Sequence, residues 1–233
     1  MKIFFRLLLA HLLTDFVFQT NFIANWKKKS FLGVIVHSLI FFIFGLILTW
    51  NDLTKVWFDY PIKLTGVWCV TILFVLHMLE DEYRAYNIRH YHIKDNILFF
   101  LWDQLIHIVF IFVFSSYFSK WEVEPFVIIL CLLIAGSYGL SIVILYIDSL
   151  FYTDAIAYNY FQKKVYSIVF RLIIMLFFLL PYKLYIISLL LIPVMLVLNK
   201  KIKFLSPIGW LVNTIVAYGL GVTIFLIKES ITL

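Results

Sequence analysis

The chain has 233 residues, 64% of them hydrophobic and only 14% charged, and its mean hydropathy is +1.01. Soluble domains carry about a quarter of their residues as charges, so this composition excludes one and points to a chain that lives in lipid. The net charge of +6 then belongs to loops facing the cytoplasm, and no nucleic-acid partner is implied by it.

The opening MKIFFRLLLAHLLTDF has the basic start and apolar run of a signal peptide. No small-x-small cleavage site follows, and His11 and Asp15 interrupt the run, so it reads as a retained first helix. A spanning helix needs about 20 largely apolar residues. Eight segments qualify, at roughly 3–25, 31–50, 62–80, 95–118, 125–147, 163–180, 182–199 and 205–227. The sixth and seventh meet at Pro181 with only Tyr182 and Lys183 for a turn, so the count is seven if they form one broken helix. The expected fold is all-α, a polytopic transmembrane helical bundle. Residues 1–120 form a four-helix core and 121–233 add four helices of unassigned role. Cys69 and Cys131 lie in apolar runs and read as small hydrophobes. Trp26, Trp50, Trp57, Trp121 and Trp210 fall near segment ends as interfacial anchors. Gly136, Gly139, Gly219 and Gly221 suggest close helix packing.

Lys and Arg set the orientation. Lys27–Lys29, Arg84, Arg89, Lys94, Lys163, Lys164, Lys200, Lys201 and Lys203 fall on one side if the spans alternate. Lys2, Arg6, Lys55, Lys63, Lys120, Lys183 and Lys228 fall on the other. The richer side is assigned to the cytoplasm, which places both termini outside a cytoplasmic membrane.

A carboxylate in the middle of a spanning helix costs about 2.5–3.5 kcal/mol on insertion scales, so such residues are usually paired or functional. Here they form a pattern. His11/Asp15, His77/Asp81 and Asp103/His107 are each four apart, which puts each pair on one helix face. Gln19 extends the first row by a turn, Gln104 adjoins the third pair, and the second segment adds His37. Counted from the basic loops, all four segments carry these side chains at similar depth. Imidazoles and carboxylates drawn from several packed helices suit a divalent metal ion such as zinc, manganese or iron, which would also neutralise the buried charge. The bland reading of any one of these residues is a helix–helix hydrogen bond. Asp81, beside Glu80, Glu82 and Arg84, reads equally as a solvated loop edge. His90, Tyr91 and His92 read as loop residues, as do Asp148 and Asp154. Arg171, in an apolar segment, would snorkel, pair with a carboxylate or meet a headgroup.

The stretch AHLLTDFVFQTNFIANWKKKS, the His of VIVHSLI, HMLED and WDQLIH together resemble the bacterial membrane family known as domain of unknown function 3307. The resemblance covers about residues 10–110 and falls on His11, Asp15, Gln19, His37, His77, Asp81, Asp103, Gln104 and His107. It supports a site and supplies no reaction.

The leading expectation is a metal-dependent membrane hydrolase acting on a lipid or amphipathic substrate at the cytoplasmic leaflet. His11, Asp15, His77, Asp81, Asp103 and His107 would hold the metal. Asp15, His37 and Asp103 would carry the catalytic work, and Gln19 and Gln104 would orient ligands or substrate. The alternative is a proton- or cation-coupled transporter using the same cluster, although no inverted repeat or paired broken helices are visible. A haem carrier using His37 with His77 or His107 conflicts with the carboxylates beside every candidate ligand. A non-catalytic subunit would use the cluster only to hold helices together. The bilayer is the one partner implied, with oligomerisation left open.

Overall fold

The computed structural model describes residues 1–59, 61–115, 122–181 and 184–232. Lys120, Trp121, Tyr182 and Lys183, which entered the orientation, the aromatic belt and the proposed turn, lie outside them. The architecture is all-α. A small antiparallel hairpin of β1 (Val56–Phe58) and β2 (Leu64–Thr65) is the one sheet among the described residues. The chain forms two compact units, Met1–Val127 and Ile128–Leu233.

The first unit begins with α1 (Lys2–Leu12), which runs into a π-helical turn over Leu13–Phe18. Gln19 leaves helical geometry at ψ 78, and the chain turns by 95° into α2 (Asn21–Lys29). The Thr20 side chain caps α2 by accepting from the Ile23 amide at 3.3 Å. Ser30 caps α3 (Phe31–Thr49) by accepting from the Leu32 amide at 3.2 Å. Gly33 makes this turn possible, because a Cβ there would lie 2.6 Å from the Lys27 nitrogen. The backbone of α2 therefore folds directly onto the start of α3 and aims Lys27 inward. The unit continues with α4 (Gly66–Tyr91) and α5 (Ile97–Phe114), the latter capped by Asn96 accepting from the Phe99 amide at 3.0 Å.

Leu7, Ala10, Phe41, Val70, Leu73 and Ile111 form the apolar core of this unit. Elsewhere the usual pattern is inverted. On α5, Asp103 and His107 are buried, whereas Leu98, Leu101, Trp102 and Leu105 are exposed. An apolar outside around a polar inside is the pattern lipid imposes. Charged side chains gather at two ends of the unit. At one end Lys2 and Lys55 reach Asp52 at 3.0 and 2.5 Å, and Arg6 pairs with Glu124 at 2.6 Å, whose hydrogen bonds hold the Glu124 carboxyl below its usual range. At the other end lie Lys27, Lys28, Arg84 and Arg89 with their acidic partners.

The span count differs from expectation. Among the described residues, five helices are long and apolar enough to cross a membrane: Phe31–Asp52, Ile97–Phe114, Pro125–Phe151, Leu184–Ile202 and Pro207–Ser230. Lys2–Phe18 with Asn21–Lys29 makes a sixth if the bent pair is one span. The first segment does not run straight to residue 25. The segment at 62–80 belongs to α4, whose 26 residues continue through charged positions to Tyr91, so most of the expected Arg84–Lys94 loop is helix. The segment at 163–180 yields α9 (Lys164–Phe177), with only 14 residues. Trp57, expected at an interface, is buried and donates its indole N–H to the Asp52 carbonyl at 2.9 Å.

The second unit follows from α6 (Pro125–Ile134), which begins just before the boundary. A π-helical turn over Ala135–Gly139 leads into α7 (Leu140–Phe151). Then come α8 (Asp154–Gln162), α9, a 3₁₀ stretch over Leu184–Leu190, α10 (Leu191–Ile202) and α11 (Pro207–Thr232). Gly136 lies against Leu220 and Gly221 against the Phe178 ring, so both allow close packing; Gly219 faces open space and does not. Arg171 neither snorkels nor, among the described residues, meets a carboxylate. It is fully buried and donates to Asn213 Oδ1, the Ser137 carbonyl and Ser141 Oγ. Ser137 lies in the π turn, where the helical ladder is interrupted and a carbonyl is free to accept. Asp148 is not a loop residue. It is buried in α7 and accepts from Ser206 Oγ at 2.5 Å.

Candidate metal centre in the first unit

Each helix of the first unit contributes to one polar cluster. The first helix supplies His11 and, from its π turn, Asp15; α3 supplies His37; α4 supplies His77 and Asp81; α5 supplies Asp103, Gln104 and His107. None of the seven ionisable residues is more than 5% exposed. The four-residue spacing places each pair on the inner face of its helix, with His11 Nδ1 3.6 Å from Asp15 Oδ1 and His77 Nε2 3.5 Å from Asp81 Oδ2.

The centre of the cluster is an open ring of four atoms. His37 Nε2 lies 3.3 Å from Asp15 Oδ1 and 3.2 Å from Asp81 Oδ2. His77 Nε2 lies 3.6 Å from Asp15 Oδ1 and 3.5 Å from Asp81 Oδ2. All four atoms are buried and none makes a hydrogen bond. Buried polar atoms are nearly always satisfied, so four converging orphans require a physical reason. A tetrahedral ion bound at about 2.0–2.2 Å places neighbouring ligand atoms about 3.3–3.6 Å apart, close to these four His–Asp separations.

The outer atoms of the same residues are occupied. Lys27 Nζ donates to Asp81 Oδ1 at 2.6 Å, and Gln104 Nε2 donates to Asp15 Oδ2 at 3.1 Å and Asp103 Oδ2 at 3.2 Å. Arg84 Nη1 donates to Asp103 Oδ2 at 2.9 Å. The amide of Gln104, committed by its nitrogen to two carboxylates, presents Oε1 to His11 Nε2 at 3.2 Å, so that imidazole nitrogen carries the proton. His11 Nδ1 is therefore a bare lone pair facing a carboxylate oxygen. His107 is fixed in the same way, since Nδ1 donates to the Asp103 carbonyl at 2.7 Å and leaves Nε2 without a partner. Such outer bonds orient metal-binding histidines and set their tautomers.

The charges also leave a deficit. Lys27 balances Asp81, and Arg84 serves Asp103 while also pairing with Asp95 at 2.8 Å. Among the described residues, no Lys or Arg lies within ion-pair distance of Asp15, which has imidazoles and the Gln104 amide beside it. Among the described residues, three groups could each hold a cation with ligand atoms within 4.8 Å of one another: His11, Asp15 and His77; His37, His77 and Asp81; and Asp81, Asp103 and His107. The donor set of imidazole nitrogen and carboxylate oxygen suits zinc, manganese or iron.

Gln19 stands apart from this arrangement. It lies where the π turn ends, and its Oε1 is buried without a partner. His90, Tyr91 and His92 are exposed at the end of α4, with the His90 ring 4.2 Å from that of Tyr86. Two contributors escaped the sequence reading. Lys27 and Arg84 served there as markers of loop orientation, yet both turn inward onto cluster carboxylates. Lys27 offered a faint signal, since it heads a basic run behind a helix-breaking Gln-Thr pair.

The class these observations define is a multi-pass membrane protein with a buried His/Asp cluster enclosed by its first helices. Residues 3–135 match the family DUF3307, described as protein of unknown function, and the chain belongs to that family. The match takes in the whole cluster and extends past residues 10–110 at both ends. No curated protein and no solved structure matches the chain.

Proposed function

We propose that this protein is a metal-dependent membrane enzyme, a hydrolase of a lipid or another amphipathic substrate at the cytoplasmic leaflet. The observation that carries the reading is the ring of Asp15 Oδ1, His37 Nε2, His77 Nε2 and Asp81 Oδ2, buried and unbonded with imidazole–carboxylate separations of 3.2–3.6 Å. A divalent cation supplies a Lewis acid and a source of nucleophilic water near neutral pH. Asp15, His37, His77 and Asp81 hold it, and Gln104 fixes the Asp15 carboxylate. With Nε2 on the cation, the His37 ring carries its proton on Nδ1, which is buried and unpartnered. Asp103 and Arg84 form a charged pair beside the ring, where they can position a polar headgroup.

The amphipathic character of the substrate follows from α2. This helix has no buried residue, exposes Phe22 and ends in Lys27–Lys29. Turned 95° from α1, it suits a position along the membrane surface, with Lys27 reaching from it to the cluster. The basic run places this face in the cytoplasm by the positive-inside rule, and both termini outside. Eight passes remain the proposed count, with α4 and α9 crossing under cover of their neighbours. The test is turnover in reconstituted vesicles of phospholipid, read as release of headgroup or acyl chain. Wild type loaded with zinc, manganese or iron should hydrolyse the lipid, and Asp103→Asn should lose at least about a hundredfold in rate. Metal-dependent proton or cation uptake without hydrolysis would replace this reading with the transporter.

A further inference from the structure

Not all of the orphaned atoms belong to one coordination shell. The ring of Asp15, His37, His77 and Asp81 accounts for one cation. On the α5 side a second set remains, made of Asp103 Oδ1 and His107 Nε2, both buried and unbonded. These residues form with Asp81 a separate group whose ligand atoms all lie within 4.8 Å of one another.

The hydrogen bonds around this second set define it chemically. His107 Nδ1 donates to the Asp103 carbonyl at 2.7 Å, so in the neutral ring Nε2 is left as an acceptor. Asp103 Oδ2 already receives Arg84 and Gln104, which turns Oδ1 away from every donor. What remains is a lone pair on an imidazole beside two carboxylates, at 2% exposure or less for all three residues. Such atoms repel one another in a water-poor interior unless positive charge, as a proton on the ring or a bound cation, lies between them. The two sets are adjacent, since the His77 and His107 rings lie 4.2 Å apart, and Asp81 belongs to both.

We infer that the cluster holds two divalent cations, one in the ring and one between Asp103, His107 and Asp81, with Asp81 shared between them. This inference rests on the metal reading of the ring and adds a second ion to it. Paired ions in enzymes are typically about 3.5–4 Å apart, a spacing that one shared carboxylate spans. Arg84 holds Asp103 in place for the second ion as Lys27 holds Asp81 for both.

Manganese-loaded full-length protein in detergent tests it by metal content and by electron paramagnetic resonance. The expected result is two manganese ions per chain with a spin-coupled signal. His107→Gln should retain one ion and convert the signal to that of isolated manganese, and Asp15→Asn should likewise retain one. The resonance of the wild type stands on its own if either variant fails to fold. One ion per chain with an uncoupled signal overturns the second site and leaves the ring intact. No bound manganese, zinc or iron in the wild type overturns both.

Discussion

Replacing Lys27 by Met isolates the contact on which the geometry of the cluster most depends. Its Nζ lies 2.6 Å from Asp81 Oδ1, with the Lys27 side chain 13% exposed and that of Asp81 fully buried. Removing one partner of a buried ion pair strands the other charge and costs about 3–5 kcal/mol. The same helix supplies an internal control. Lys28 reaches Asp95 at 3.7 Å with 53% of its side chain exposed, and such pairs contribute about 1 kcal/mol or less. At about 2–4 °C per kcal/mol for a chain of this size, Lys27→Met should lower the melting temperature of metal-free protein by about 6–20 °C. Lys28→Met should shift it by about 4 °C at most. Thermal unfolding in one detergent, read by intrinsic tryptophan fluorescence, compares them. The cause is checked by a double-mutant cycle, because Asp81→Asn removes the stranded charge. Lys27→Met/Asp81→Asn should therefore recover about 2 kcal/mol or more relative to the sum of the singles. Additive losses, or equal losses for Lys27→Met and Lys28→Met, would refute the reasoning.

Two further predictions concern the frame around the site. Gly33→Ala should destabilise the protein by about 1–3 kcal/mol and weaken metal binding, because its Cβ would press on the α2 backbone at Lys27 and lift Nζ from Asp81; unchanged melting and metal content would show that α2 does not rest on α3 in this way. Single cysteines at Lys28 and Lys94 should react with a membrane-impermeant maleimide only in inside-out vesicles, and one at Lys63 only in right-side-out vesicles. The native Cys69 and Cys131 are buried and should stay silent, and labelling of Lys28 and Lys63 positions from one side would overturn the proposed topology.

The inner faces of the helices were readable from spacing alone. Four-residue repeats place His11 over Asp15, His77 over Asp81 and Asp103 over His107 in any α-helix, and the structure turns the first two pairs toward His37 and the third toward Asp81. Hydropathy was a poorer guide to where helices stop. It cannot distinguish a helix that ends at the membrane edge from one that continues into water, so α4 runs on to Tyr91 through residues taken for a loop. The 95° turn after Phe18 depends on a π turn, an extended Thr20 cap and a contact across Gly33, none of which has a period. That turn brings Lys27 to Asp81, so a residue read as a topological marker is part of the site. Asp148 escapes a reading by pattern for a related reason, since its partner Ser206 lies far away in sequence.

The metal content of purified wild-type protein, set beside that of Asp15→Asn, tests the central claim most directly. The Asn side chain keeps the shape of the carboxylate but is a poorer ligand for a dication. On insertion cost alone it should stabilise the chain, because a buried carboxylate is the more expensive group. The account predicts stoichiometric zinc, manganese or iron in the wild type, with less metal and lower thermal stability in the variant. Wild-type protein without stoichiometric metal, and with no Asp15-dependent stabilisation on titration with any of the three ions, would contradict it.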